Sequence, residues 1–281
     1  MDKLNILVLT DFSQMSLEAL KMVSLLGTKF EVKLHLLHVI ETNDLVLSDD
    51  SEFSDEVDLT AFHKEIETSK INFKKLKDTG IDFEEHLTIG SRNDEIRKFG
   101  IVLKADLVIL GTDDHHNFLE KLNRSKTYEL FKHLGIPVIS VKTNTIHNQQ
   151  LSNILLIADY EYFGKGIQMN LVKAISEAFS SNIHLLQILR EEDQNKLDEI
   201  EAQMKFFATM HQFEKYQLHL FSDSDLAKGI KIDDKEIEID LICVRTHRKK
   251  EVSHFLYGNI AERLINVGSK PILTFHLKEI W

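Results

Sequence analysis

The chain has 281 residues, of which 43% are hydrophobic, so it can bury either one large core or two ordinary ones. Its formal net charge of −11 argues against general nucleic-acid binding, because that binding needs a basic surface to neutralise phosphates. The single cysteine, Cys243, excludes an internal disulfide and is typical of a cytoplasmic protein. The first apolar run ends at Asp11, and we expect neither a signal peptide nor a membrane span from so short a run.

Strands and helices alternate along the first half of the chain. Apolar runs predict strands at Ile6–Thr10, Lys33–Ile40, Phe83–Ile89, Leu107–Leu110 and Val138–Val141. A helix that Ser13 or Ser16 caps follows the first strand and ends near Gly27. Further helices are predicted from about Leu59 to Lys77, Asn93 to Leu103 and Lys126 to His133.

The second half repeats this order of elements. Residues 4–12 (LNILVLTDF) correspond to residues 152–160 (SNILLIADY) at an offset of 148. Two later landmarks share an offset of 134, namely Asp106 and Asp240, which begin DLVILGT and DLICVRT, and Pro137 and Pro271. The repeat predicts strands at Ile154–Ala158, Ile183–Leu189, Tyr216–Phe221, Leu241–Val244 and Ile272–Phe275.

Two homologous domains, residues 1–145 and 151–281, follow from this repeat. The shorter second offset means that the second copy lacks a segment, and the acidic stretch from Glu41 to Asp58 has no match there. We expect that stretch to be a surface loop, with a lid over the site or a docking segment for a basic partner as alternatives. Alternating strands and helices predict that each domain is a five-stranded parallel sheet with helices on both faces.

Ligands of such sheets bind beyond the carboxyl ends of the strands. Asp11 and Asp159 end the first strand of each copy, and Gly111 and Arg245 lie at the ends of the fourth strands. These positions are therefore the candidate binding region of each domain.

The strand that ends in Asp-Phe-Ser before a helix resembles the opening of universal stress protein domains, as does DLVILGT with GIPVISV behind it. The resemblance covers both repeats and implies adenine-nucleotide-alpha-hydrolase-like domains. It also implies that the aspartate contacts the adenine and ribose end of ATP. A loop of the pattern Gly, two residues, Gly, nine residues, Gly, Ser or Thr then surrounds the phosphates, because glycines let backbone amides approach phosphate oxygens.

Neither copy carries this phosphate loop intact. In the first copy Asp114 and Arg124 stand at the second and third glycine positions, and an aspartate there repels a triphosphate. The second copy has arginines at its first two glycine positions, within the basic run RTHRKK. Those arginines either plug the site or hold an anion. The positions that match the family's ATP pocket are Asp11, Val39, Gly111, Ser125, Asp159, Arg245, Arg248, Gly258 and Asn259.

The remaining reactive side chains have simpler explanations. Cys243 lies inside a strand and is expected to be a buried apolar residue rather than a nucleophile. His35 and His38 are expected to pack in the core or at a sheet edge. The run Asp113 to His116 cannot converge on one ion, so no metal site is expected, and no catalytic residue is assigned.

We therefore expect a non-catalytic stress-response or signalling module with degenerate nucleotide sites and no cofactor. The alternative is an ATP- or AMP-binding switch or weak ATPase that holds ATP or another small anion in its C-terminal domain. A transferase or ligase would need a glycine-rich loop after the first strand, which TDFSQMS does not supply. We expect the two domains to form an intramolecular pseudo-dimer through Val138–Val141 and Ile272–Phe275. A further homodimer and unidentified protein partners stay open, and neither nucleic acid nor a membrane is expected as a partner.

Overall fold

The computed structural model describes residues 1–41, 59–112, 135–142, 150–158, 167–189, 195–222, 238–246 and 270–276, with single residues 146, 160 and 193. The predicted helix at 126–133 and almost all of the acidic stretch lie outside these residues. The first half contains β1 (Lys3–Leu9), α1 (Gln14–Gly27), β2 (Glu31–Ile40), α2 (Leu59–Lys77), β3 (Glu84–Ile89), α3 (Arg92–Val102), β4 (Leu107–Thr112) and β5 (Val138–Lys142). The second half contains β6 (Asn153–Ile157), α4 (Ile167–Phe179), β7 (Asn182–Leu189), α5 (Leu197–Met210), β8 (Tyr216–Ser222), β9 (Leu241–Thr246) and β10 (Ile272–His276).

All ten strands lie in one sheet in the order β3-β2-β1-β4-β5-β10-β9-β6-β7-β8. Each half is parallel throughout, and the two halves meet where β5 and β10 pair in antiparallel fashion. Read outward from this central pair, the strand order is the same on both sides. The predicted fold class is therefore confirmed, and each of the ten predicted strands overlaps an observed one. The domain boundaries at 145 and 151 stay a prediction.

The sequence landmarks of the repeat join the fourth strand of each half to its two neighbours, the first and the fifth strands. A carboxylate oxygen of Asp106 accepts the backbone N–H of Asn5 at 2.9 Å, and that of Asp240 accepts the N–H of Asn153 at 3.0 Å. The two prolines play matching parts, since the carbonyl of each accepts an N–H from the fourth strand of its own half at 3.0 Å. Each landmark thus caps a strand start that would otherwise leave a backbone N–H unpaired.

Helices cover both faces of the sheet. Helices α1, α2, α4 and α5 pack on one face over a buried cluster that runs through both halves, and α3 packs on the other face. Within the described residues, no helix combines the length and apolar character that crossing a membrane would need.

A pair of histidines joins the second and third strands in each half. His35 Nδ1 lies 3.1 Å from His86 Nε2 on β2 and β3, and His184 Nδ1 lies 2.9 Å from His219 Nε2 on β7 and β8. Burial lowers the pKa of His184 to about 4, and the neighbouring His219 adds to this effect. Burial also lowers the pKa of His219. Both imidazoles of this second pair are therefore neutral at pH 7.

The His184 pair should make stability fall in mild acid. Between the ordinary pKa of 6.5 and the folded pKa of about 4, the unfolded chain binds a proton that the folded chain does not. Stability is then fully present above pH 6.5 and is lost as the pH falls toward 4. Protonation of His184 should lower the free energy of unfolding at pH 5 by about 2 kcal/mol at most, compared with pH 7. Urea unfolding at pH 7 and pH 5 should show a smaller loss of unfolding free energy in His184→Gln than in the wild type. Equal losses in the two proteins would contradict this expectation.

The central strand pair should be the position least tolerant of charge. Ile139 and Leu273 face each other across β5 and β10, and neither side chain is exposed. An unpaired carboxylate here would be desolvated, so Ile139→Asp or Leu273→Asp should cost about 3–5 kcal/mol or cause aggregation. The matched control is Ile71→Asp on α2, where the side chain is 53% exposed and the cost should stay below about 1 kcal/mol. Equal urea midpoints for Ile139→Asp and wild type would contradict the expectation.

Candidate functional site

The carboxyl ends of three neighbouring strands bring Asp11, Val39 and Gly111 to one edge of the first-half sheet. Strand β1 lies between β2 and β4, and the backbone N–H of Thr10 still bonds the Leu37 carbonyl at 3.0 Å. Asp11 is exposed, whereas the Val39 side chain is buried in the cluster on the α3 face. Val39 can therefore offer its backbone to a ligand, but its side chain belongs to the core.

A tight turn connects β1 to α1 and holds the Asp11 carboxylate. Asp11 Oδ1 accepts the backbone N–H of Ser13 at 3.0 Å, and Phe12 has a left-handed φ of 61°. Ser13 caps the helix, since its Oγ accepts the Ser16 N–H at 3.3 Å and its carbonyl accepts the Leu17 N–H at 3.2 Å. These two amides at the start of α1 are thus bonded to Ser13.

Local hydrogen bonds lower the pKa of Asp11. Partial burial of the carboxylate raises its pKa, but bonds from the Ser13 side chain and backbone, with a further one from Ser16, outweigh burial and lower the pKa. At neutral pH the group is a charged acceptor that faces solvent. Its chemistry suits a ligand hydroxyl or amine and opposes an anion placed directly on it.

His38 lies directly beneath this turn, and sequence reasoning gave it no place in the site. Its Nδ1 donates to the Thr10 carbonyl at 2.7 Å, and its ring lies 5.1 Å from the Phe12 ring. The buried Nε2 has no hydrogen-bond partner in the described part of the chain, and Glu65 Oε1 is 3.8 Å away. No spacing in the sequence points to this contact, because it depends on the register of β1 and β2.

Gly111 lies at the end of β4, where the backbone of α1 crosses it. A Cβ built on Gly111 would lie 2.1 Å from the Met15 carbonyl oxygen and 2.9 Å from the Ser16 nitrogen. Both are backbone atoms, so neither can rotate away. Glycine is therefore required here for packing between strand and helix, whatever the site binds.

The second half is described at fewer of its candidate positions. The backbone of Arg245 lies in β9 opposite Phe275 of β10, at the position equivalent to Gly111. Tyr160, next to the predicted Asp159, is buried against Phe207 with its hydroxyl donated to a carbonyl of β6. The sequence-predicted positions outside the described residues are Ser125, Asp159, Arg248, Gly258 and Asn259.

Cys243 is fully buried in the centre of β9. Burial raises the pKa of its thiol far above the ordinary range. The group therefore remains a protonated thiol that packs as a small apolar side chain, as its position in a strand predicted.

This sheet order, with helices on both faces, is that of an adenine-nucleotide-alpha-hydrolase-like fold. The model of the universal stress protein family matches residues 4–142. The chain belongs to the universal stress protein family, whose members are generally non-catalytic stress-response proteins.

Solved structures of similar fold extend over both halves. A universal stress protein from Archaeoglobus fulgidus DSM 4304 superposes with a TM-score of 0.70 at 17% identity, covering 98% of this chain and 97% of that one. A candidate universal stress protein from Pseudomonas aeruginosa superposes with a TM-score of 0.60 at 16% identity, covering 97% and 93%. At such identities these similarities show the fold alone. Among curated proteins, no sequence matches the chain significantly.

The contact between Gly111 and α1 predicts a large effect of one added methyl group. Gly111→Ala should force β4 and α1 apart and lower the free energy of unfolding by about 2–4 kcal/mol. Gly27→Ala is the matched control, because the nearest neighbour of its Cβ is Val32 Cγ2 at an ordinary 3.9 Å. That variant should be neutral or gain up to about 1 kcal/mol from helix propensity. Urea unfolding measures both free energies, and similar free energies of unfolding for the two variants would exclude the packing role of Gly111.

Proposed function

We propose that this chain is a non-catalytic stress-response or signalling protein whose two nucleotide sites do not bind ATP tightly. The observation that carries the proposal is the role of Gly111. Packing against Met15 already requires a glycine there, so its presence is no evidence for a phosphate loop. The other two loop glycines of the first copy are replaced by Asp114 and Arg124. The aspartate would repel phosphate, and the arginine could pair with it and fill the vacated space.

The turn after β1 supports the absence of an adenylating activity. A phosphate-binding loop at this position would need free backbone amides at the start of α1. The Ser16 amide is instead bonded to the Ser13 hydroxyl, and the Asp11 carboxylate accepts the Ser13 amide directly before the helix. The turn therefore favours a hydrogen-bonding role for Asp11 over phosphoryl chemistry.

Sequence alone places the better residual anion site in the second half. Gly258 precedes a predicted helix, and Arg245 and Arg248 stand at the first two glycine positions. We propose that these arginines act as plugs against ATP. The alternative is that they replace the backbone amides as phosphate ligands, which would make the protein an ATP- or AMP-binding switch.

Calorimetric titration of Mg-ATP, AMP and inorganic phosphate into the purified chain tests the proposal. The wild type should show no micromolar ATP binding and should release no phosphate from ATP above the buffer rate. Arg248→Gly, and separately the double variant Asp114→Gly with Arg124→Gly, should gain affinity because each restores glycines at the loop. Arg97→Ala on the exposed face of α3 removes the same charge as Arg248→Gly and should change nothing.

Micromolar ATP binding by the wild type would refute the degenerate sites. Loss of that binding in Arg248→Gly would then identify the arginine as a ligand. Multiple turnovers of ATP by the wild type would refute the non-catalytic role, whatever the affinity.

A further inference from the structure

Three potential metal ligands converge on the outer strands of the first half, away from the strand-end site. His35 on β2 faces Glu84 and His86 on β3, the edge strand of the sheet. His35 Nδ1 lies 3.1 Å from His86 Nε2 and 3.2 Å from Glu84 Oε2, and all three ligand atoms lie within 4.8 Å of one another. Each residue therefore directs one nitrogen or oxygen at a common point.

A single hydrogen on His35 Nδ1 cannot be donated to both of its neighbours in this cluster at once. His35 Nδ1 can carry one hydrogen, which can go either to the His86 nitrogen or to the Glu84 oxygen. If His86 donates to His35 instead, the His35 lone pair faces a carboxylate oxygen that is also an acceptor. A cation at the centre would interact favourably with all three atoms at once.

We propose that His35, Glu84 and His86 form a binding site for one divalent transition-metal ion of the zinc class. Tetrahedral zinc with ligands at about 2.1 Å places two ligand atoms about 3.4 Å apart, close to the two contacts of His35 Nδ1. Two histidines and one carboxylate are a ligand set that zinc accepts, with the fourth position left to water.

The surroundings of the cluster prepare both histidines and the carboxylate for this role. Burial lowers the pKa of His35 and of His86, with Glu84 opposing the effect. Lys33 Nζ binds the other oxygen of Glu84 at 2.8 Å, which orients Oε2 toward His35. The Phe99 ring lies 5.1 Å from the His86 ring and supports it. Glu84 is about half exposed, so an ion can enter from solvent.

The second half supplies a natural comparison in which one ligand is missing. His184 and His219 repeat the histidine pair. The residue opposite His184 on β8 is Gln217, whereas the residue opposite His35 on β3 is Glu84. With no carboxylate to satisfy, one imidazole donates and the other accepts, and the 2.9 Å contact is an ordinary hydrogen bond. A neutral amide oxygen is a weaker ligand than a carboxylate, so this pair should not hold zinc at the same concentration.

Equilibrium dialysis of the full chain against low-micromolar zinc, with cobalt(II) absorption as a second readout, tests the assignment. Glu84→Gln makes the first cluster resemble the second and should lose one bound zinc per chain together with the visible cobalt bands. His86→Gln should have the same effect, and circular dichroism checks that each variant remains folded. His219→Gln is the matched control and should keep the wild-type zinc content. Gln217→Glu completes the second cluster and should gain one zinc per chain.

The comparison between variants separates this site from any other zinc bound by the chain. Equal zinc content in wild type, Glu84→Gln and His86→Gln would overturn the proposal. A loss of zinc in His219→Gln equal to that in His86→Gln would overturn the assignment to the first half. Failure of Gln217→Glu to gain zinc would show that this three-residue set is not sufficient and would overturn the ligand assignment.

Discussion

The antiparallel pairing of β5 with β10 is the constraint on which the rest of the architecture depends. Ile139 lies opposite Leu273, which is its own counterpart in the repeat, so an approximate two-fold axis passes between them. The flanking hydrogen bonds obey the same symmetry, because Ser140 Oγ donates to the Ile272 carbonyl and Thr274 Oγ1 donates to the Val138 carbonyl. Without this pair each parallel half would expose an apolar strand edge, which invites aggregation. The repeat within one chain makes the partner edge available at high effective concentration.

Using the apolar edges at the centre leaves β3 and β8 as the outer edges of the sheet. These strands can carry polar side chains because water reaches them, and in the first half they place Glu84 and His86 beside His35. The strand-end region around Asp11 lies elsewhere, between the buried centre and the loops. The register places His35 beside Leu7, four residues before Asp11, so the histidine cluster and the strand-end turn lie at different heights of the sheet.

Much of the fold could be predicted from the sequence because the repeat landmarks have local structural roles. Asp106 and Asp240 accept a backbone N–H at the start of a neighbouring strand, and this role depends only on the strand order that a parallel fold imposes. The histidines could not be interpreted in the same way. His35 and His38 are three residues apart in one strand, so they point to opposite faces and have unrelated neighbours. The contact of His35 with His86 depends on the register of β2 against β3, which no local pattern specifies.

The two halves retain their packing but differ where the strands end. Phe12 packs edge-on against Phe73 with ring centroids 4.9 Å apart, and Tyr160 packs in the same way against Phe207 at 5.1 Å. At the end of the fourth strand, however, a side chain at the Gly111 position would collide with the first helix, and the equivalent residue is Arg245. The glycine that the close approach of α1 to β4 requires is therefore absent from the equivalent position of β9. Because of this difference, a ligand that fits one strand-end region need not fit the other, even though one sheet supports both.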